Sequence, residues 1–159
     1  MTLGEVLSYL AVWSIVGSIA FSVFVVLAFR TGIVFTARNE EGSLKEKIPL
    51  RGYLAMTGFL FCIIAFIVLA NFIGLARKGY VLSFGALFSL NLALFLILFL
   101  FDTLVVDGLV IGYWRPGFLD LPDAMGWDSM KKHMLKSIPA GTVFGLVISA
   151  ISTVISFFA

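Results

Sequence analysis

The sequence predicts an all-α integral membrane protein: a four-helix bundle with a short interfacial amphipathic helix before the last span. Three observations predict it. First, of 159 residues 61% are hydrophobic and only 13% charged, and the mean hydropathy is +1.11. A soluble domain is about a quarter charged and roughly half apolar, so this chain needs lipid as its solvent. Second, the apolar residues fall into four runs. At about 20 residues per crossing, the chain has room for four helices with short connections. Third, all 11 Lys and Arg residues lie in or at the ends of the connections between those runs. The length leaves a single transmembrane domain, 1–159, and no room for a separate soluble module.

Span one is expected over residues 6–29. Ser14, Ser18 and Ser22 recur every fourth residue, with Ala11 one turn earlier, and so share a helix face. Small side chains let a second helix approach closely, which is how helices associate in lipid. The stripe reads as a packing seam in preference to a polar lining. Met1-Thr2-Leu3-Gly4-Glu5 lacks the basic start of a cleaved signal peptide, so the run is expected to be retained as a span. The first connector carries Arg38, Glu40, Glu41, Lys45, Glu46 and Lys47 and reads as solvated.

Span two is expected over residues 53–76, with Arg51 and Tyr53 at headgroup level. Its polar residue, Asn71, is expected to be satisfied near the interface in preference to bonding across helices. Cys62 has no second cysteine to pair with and is expected to be an inert core residue. The turn Arg77-Lys78-Gly79-Tyr80 is so short that spans two and three must be antiparallel neighbours.

Span three is expected over residues 81–106, with an extension to about 112. The 36 residues from Gly79 to Trp114 contain no Lys, Arg, Glu or Pro. As one helix they would measure roughly 54 Å against a hydrocarbon core of about 30 Å. The helix is therefore expected to run beyond the membrane until Arg115-Pro116 stops it. The interfacial segment 113–137 begins as a Pro- and Gly-rich loop. Asp128 then reads as the N-cap of an amphipathic helix over 129–137, which carries Lys131, Lys132, His133 and Lys136. Span four, residues 138–158, holds Pro139 in its first turn, a GxxxG pair at Gly141 and Gly145, and then Ser149, Ser152 and Ser156. Spans one and four are expected to form the close-packed pair.

Nine basic residues fall in the two long connectors and two in the turn between spans two and three. The positive-inside rule then places loops 30–52 and 113–137 in the cytoplasm and both termini outside, as in a multi-pass protein of a cell (inner) membrane.

The candidate chemistry lies at the end of span three. Asp102 and Asp107 sit in an apolar run, where a charge must be paired, protonated or wetted. Asn91, Leu94 or Phe95, Leu98 and Asp102 share one helix face. Asp107, five residues on, lies roughly 140° from Asp102 on a regular helix, so the two do not form a facing acid pair. Four readings follow. Asp102 and Asp107 pair with Arg115, Arg51 or Lys131 and fix this face of the bundle, the favoured reading. Asp102, Asp107 and His133 form an acid/base or metal site, since carboxylate and imidazole suit a divalent metal. Asn91 and Asp102 serve a proton or ion path. Arg115, Trp127, Lys131, Lys132 and Lys136 bind lipid headgroups or a partner. The sequence contains no phosphate-binding loop, nucleophile elbow, CxxC or zinc-ligand cluster. A single histidine excludes a haem held by two histidines of this chain. No cofactor is implied, and charges confined to membrane-flanking loops speak against nucleic acid.

The block Phe101-Asp102, Asp107, Pro116-x-Phe118, Pro122 and His133 resembles a pattern in small four-span bacterial integral membrane proteins of unassigned function. The resemblance implies that the stretch between spans three and four holds the distinctive residues. The sequence thus favours a non-enzymatic accessory or assembly subunit whose cytoplasmic face meets a partner or lipid headgroups. The alternative is a membrane-embedded enzyme or a proton or ion carrier using Asp102, Asp107 and His133. Membrane lipid is the expected partner, and the small-residue stripes also suit a homodimer or a larger membrane complex.

Overall fold

The computed structural model describes residues 1–37 and 45–158, without the side chain of Ala124. Part of the first connector, including Arg38, Glu40 and Glu41, lies outside the described residues. Span one is Leu3–Arg30, followed by a helical turn at Val34–Ala37. Span two is Leu50–Gly74, prolonged by a 3₁₀ turn at Ala76–Lys78. Span three begins as an α-helix, Phe84–Leu100, and continues as a π-helix, Phe101–Trp114. Two 3₁₀ turns, Gly117–Leu119 and Asp123–Met125, lead into span four, Trp127–Phe158. There is no strand among the described residues. The four apolar helices are 28, 29, 31 and 32 residues long. Each exceeds the ~20 residues needed to cross a bilayer, so the chain is a multi-pass membrane protein. The end carrying both termini and the Gly79 turn is called the distal end below. The end carrying the first connector and the 115–126 loop is called the basal end.

Local chemistry explains where the helices begin and turn. Thr2 and Glu5 form a capping box: the Thr2 N–H donates to Glu5 Oε2 at 2.6 Å, and the Glu5 N–H donates to Thr2 Oγ1 at 3.3 Å. Ser83 caps span three by accepting from the Ala86 N–H. Between spans two and three the chain reverses through Gly79 at φ 74°, a left-handed conformation that suits glycine.

Span four packs along both span three and span two, while span one leans on span three. Spans one and four are therefore not the close-packed pair that their small-residue stripes suggested. Only 6% of the most apolar part of span one is buried. The reason is visible at the glycines. A Cβ on Gly145 would lie 2.6 Å from the Phe95 ring, and one on Gly141 would lie 2.3 Å from the Phe99 ring. The two notches of span four receive aromatic rings from span three, and no backbone approaches them from span one. Gly74 likewise makes room for Tyr9 and Trp13, and Gly17 for Leu98 and Phe66.

Three further expectations are corrected. Residues 127–137 do not form a separate interfacial helix; they are the first turns of one continuous helix, with Pro139 in its interior. The Met130 N–H already bonds the Gly126 carbonyl, so Asp128 sits in the first turn and not at the cap. A carboxylate there still favours the positive end of the helix dipole. Cys62 is exposed and faces outward, not into the core.

Candidate functional site: a polar seam between spans three and four

The π-helix decides which residues meet at the basal end. Its i→i+5 bonding widens each turn, so residues four or five apart fall on one side of it. The burial pattern follows that repeat: Thr103 with Gly108, and Val106 with Ile111, are buried. The Arg115 N–H closes the segment by donating to the Val110 carbonyl, five residues back, at 2.8 Å. Asp102 and Asp107 are also five apart, so they lie on the same side of the segment, not the 140° apart of a regular helix. Fourteen residues of π-helix are far beyond the single-turn bulge in which this geometry usually occurs.

Asp107 meets span four. Its Oδ2 lies 3.6 Å from His133 Nε2, with both side chains mostly buried. That separation is an ion-pair distance, longer than a direct hydrogen bond. Two glycines let the helices come this close. Gly108 faces the Met134 side chain, and Gly112 faces Met130 and Trp127. His133 is thus a contact between two spans. Asp102 is half-buried one π turn away. Among the described residues no three His, Cys, Asp or Glu side chains converge as a metal-binding group.

Arg115 takes another part. It adopts a left-handed conformation at φ 49°, and its Nη2 donates to the Pro122 carbonyl at 2.8 Å and lies 3.8 Å from Asp123. Its guanidinium ties down the 115–126 loop. Outside this contact, Trp127, Lys131, Lys132, Leu135 and Lys136 are exposed, while Met130, His133 and Met134 face inward.

At the distal end a second polar group lies inside the bundle. The Tyr9 hydroxyl donates to Asn71 Oδ1 at 2.8 Å, and Asn71 Nδ2 donates to Ser156 Oγ at 2.9 Å. Asn71 therefore joins three spans, contrary to the expectation that it is satisfied near the interface. One turn deeper, Asn91 Nδ2 donates to Thr153 Oγ1 at 2.9 Å, and that hydroxyl donates to the Ser149 carbonyl at 2.6 Å. Asn91 Oδ1, Ser149 Oγ and Ser152 Oγ are fully buried and have no hydrogen-bond partner among the described residues. The contrast with other helical hydroxyls is informative. Ser22, Ser89, Ser137 and Thr142 each bond a carbonyl of their own helix. Ser149 and Ser152 do not.

These residues form one seam. On span three, Asn91, Phe95, Phe99, Thr103 and Asp107 recur every fourth residue. On span four the matching groups are Thr153 and Ser149, then Gly145, Gly141 and His133. Both ends of the seam are polar. Its middle is filled by Phe95 and Phe99, whose rings lie 6.3 Å apart and within 8° of parallel. Sequence reading singled out Asn91, Asp107 and His133, and offered Phe95 as an alternative to Leu94 on the Asn91 face, but not Thr103, Thr153 or Phe99. The shared four-residue spacing of Asn91 with Phe95 and Phe99 was the available signal.

The distal rim closes with an ion-assisted bond. The Tyr80 hydroxyl donates to Glu5 Oε1 at 2.7 Å. This bond, with lesser help from desolvation and from the Glu5 charge, raises the Tyr80 pKa above the ordinary tyrosine value. A group whose folded pKa is raised contributes stability below its unfolded pKa and loses it as pH rises through the folded one. The wild-type protein is therefore expected to lose thermal stability in detergent above about pH 10. Tyr80→Phe should flatten that alkaline limb; an unchanged limb would show that the bond contributes nothing. Comparison with protein-family models, with curated proteins and with solved structures finds no match.

Proposed function

We propose that this protein is a non-enzymatic accessory subunit of a bacterial inner membrane whose basal face, turned to the cytoplasm, holds anionic lipid headgroups. One observation carries the reading: Trp127, Lys131, Lys132 and Lys136 are exposed together at the foot of span four, while the nearby Asp107 is turned inward on His133. Lys131 and Leu135, and Lys132 and Lys136, are each four apart and so share neighbouring rows of one helix face. Tyr113, Trp114 and Phe118 are exposed at the same end, and aromatic rings sit at headgroup level. A lysine near an anionic surface contributes about 1 kcal/mol of attraction. The positive-inside rule supports the orientation, because eight of the ten described basic residues lie at the basal end.

The test is lipid preference. The protein in nanodiscs of mixed phosphatidylglycerol and phosphatidylcholine should retain phosphatidylglycerol selectively, as read by mass spectrometry of the lipids that remain after mild delipidation. Lys131→Gln, Lys132→Gln and Lys136→Gln together should remove the preference and leave the helical content unchanged. An undiminished preference in the triple variant would refute the assignment.

A further inference from the structure

We infer that the seam between spans three and four is a proton relay held shut by the stacked rings of Phe95 and Phe99, with internal water at Asn91, Ser149 and Ser152 on one side and at Thr103 on the other. The inference is independent of the lipid-binding face, because none of the exposed lysines takes part in it.

The first support is the set of buried polar atoms without a partner. Among the described residues there are five: Ser14 Oγ, Asn91 Oδ1, Thr103 Oγ1, Ser149 Oγ and Ser152 Oγ. Asn91 and Thr103 belong to span three and Ser149 and Ser152 to span four, and Asn91 is bonded to span four through Thr153. Buried polar atoms in lipid cost free energy unless they are bonded. Buried water is the ordinary remedy, and it needs two to four polar partners. The distal group offers an amide acceptor and two hydroxyls that both donate and accept. A water can give one proton to Asn91 Oδ1 and bond a serine hydroxyl with its other groups. The rest of the set holds no carboxylate, so a dehydrated metal cation there would have no counter-charge.

The second support is continuity. From Asn91 to Asp107 the seam covers roughly 20–25 Å of a hydrocarbon core of about 30 Å. Tyr9, Asn71 and Ser156 form a further hydrogen-bonded group one turn farther toward the distal end. At the basal end of the seam lie Asp107 and His133, a carboxylate and an imidazole that can hold and release a proton. Within each polar stretch a proton passes between touching waters and hydroxyls, and it passes the rings only when water enters between them. Each water or hydroxyl accepts one proton on one side and releases another on the opposite side, so charge is conserved at every step. The Asp107 carboxylate takes the proton, and His133 Nε2 or basal water removes it.

The third support is the gate. Phe95 and Phe99 sit in the Gly145 and Gly141 notches between the two polar stretches. Phe95 is buried, and its ring fills the Gly145 notch. Apolar constrictions of this kind close a pathway by excluding water. The same two glycines that pack the bundle thus locate the block.

The experiment uses vesicles of phosphatidylcholine and phosphatidylglycerol loaded with a pH-sensitive dye, with the membrane potential set by potassium and valinomycin. Wild-type protein should pass protons slowly. Phe95→Ala should raise the flux at least about tenfold by wetting the constriction. Phe95→Ala combined with Asp107→Asn should return it to the wild-type level. Flux that persists in the combined variant marks a nonspecific leak and overturns the relay, as does equal flux of sodium. If Phe95→Ala does not fold, water-edited solid-state NMR of the wild-type protein decides. Water contact at the Asn91 side-chain amide and at Thr103, but not at the Phe95 ring, supports the relay. A dry Asn91 overturns it.

Discussion

Gly145→Ala is expected to destabilise the bundle by about 1–3 kcal/mol, the cost of overpacking a close-packed interior. The added methyl would lie 2.6 Å from the Phe95 ring, closer than real contacts allow. Phe95 cannot turn aside, because it is buried between spans three and four and stacked against Phe99. The helices themselves would have to separate. Gly141→Ala meets the Phe99 ring at 2.3 Å, a nominally worse clash. Phe99 is only half-buried, however, and can swing toward lipid, so this variant should cost less than Gly145→Ala. Gly58 and Gly85 have open space around the same position, and alanine there should be neutral or stabilising by up to about 1 kcal/mol through helix propensity. Unfolding in mixed micelles, followed by circular dichroism, gives the ranking directly. A Gly145→Ala variant as stable as Gly58→Ala would show that the ring does not fill the notch.

That ranking also shows what was legible beforehand. Four spans, and short connection between the second and third, follow from hydropathy and length, because lipid leaves the backbone few alternatives. The glycine notches at 141 and 145 were legible as close-approach sites, but a small-residue stripe does not name its partner. Whether a helix or a ring fills it depends on what the facing span offers at that depth, and span three offers Phe95 and Phe99. The π-helix was not legible. Nothing in Phe101–Trp114 distinguishes i→i+4 from i→i+5 bonding by composition, yet that choice rotates Asp107 from the far side of the axis to the side shared with Asp102. The polar file was hidden for another reason. Span three alone carries few polar groups in its distal half. The missing groups come from other spans: Tyr9 from span one, Asn71 from span two, and Ser149, Ser152, Thr153 and Ser156 from span four. A path assembled from four helices cannot be seen along any one of them.

Asn71→Leu is expected to be the most damaging single change in that file, at about 2 kcal/mol. The leucine leaves the Tyr9 hydroxyl without its acceptor and removes the donor to Ser156 Oγ. Tyr9 is buried against the Gly74 notch, so its hydroxyl has no route to water. A hydrogen bond between helices in lipid contributes on average about 0.6 kcal/mol; an orphaned buried group costs about 1–3 kcal/mol. The larger figure governs here, because the mutation strands the hydroxyl as well as breaking a bond. The distinction can be measured. Tyr9→Phe removes the hydroxyl together with its need and should cost less than about 1 kcal/mol. Asn71→Leu placed on that background should then cost clearly less than it does in the wild-type protein, a coupling that a double-mutant cycle isolates. Strictly additive effects would mean that Tyr9 and Asn71 do not form the bond, and the distal half of the polar file would lose its outer member.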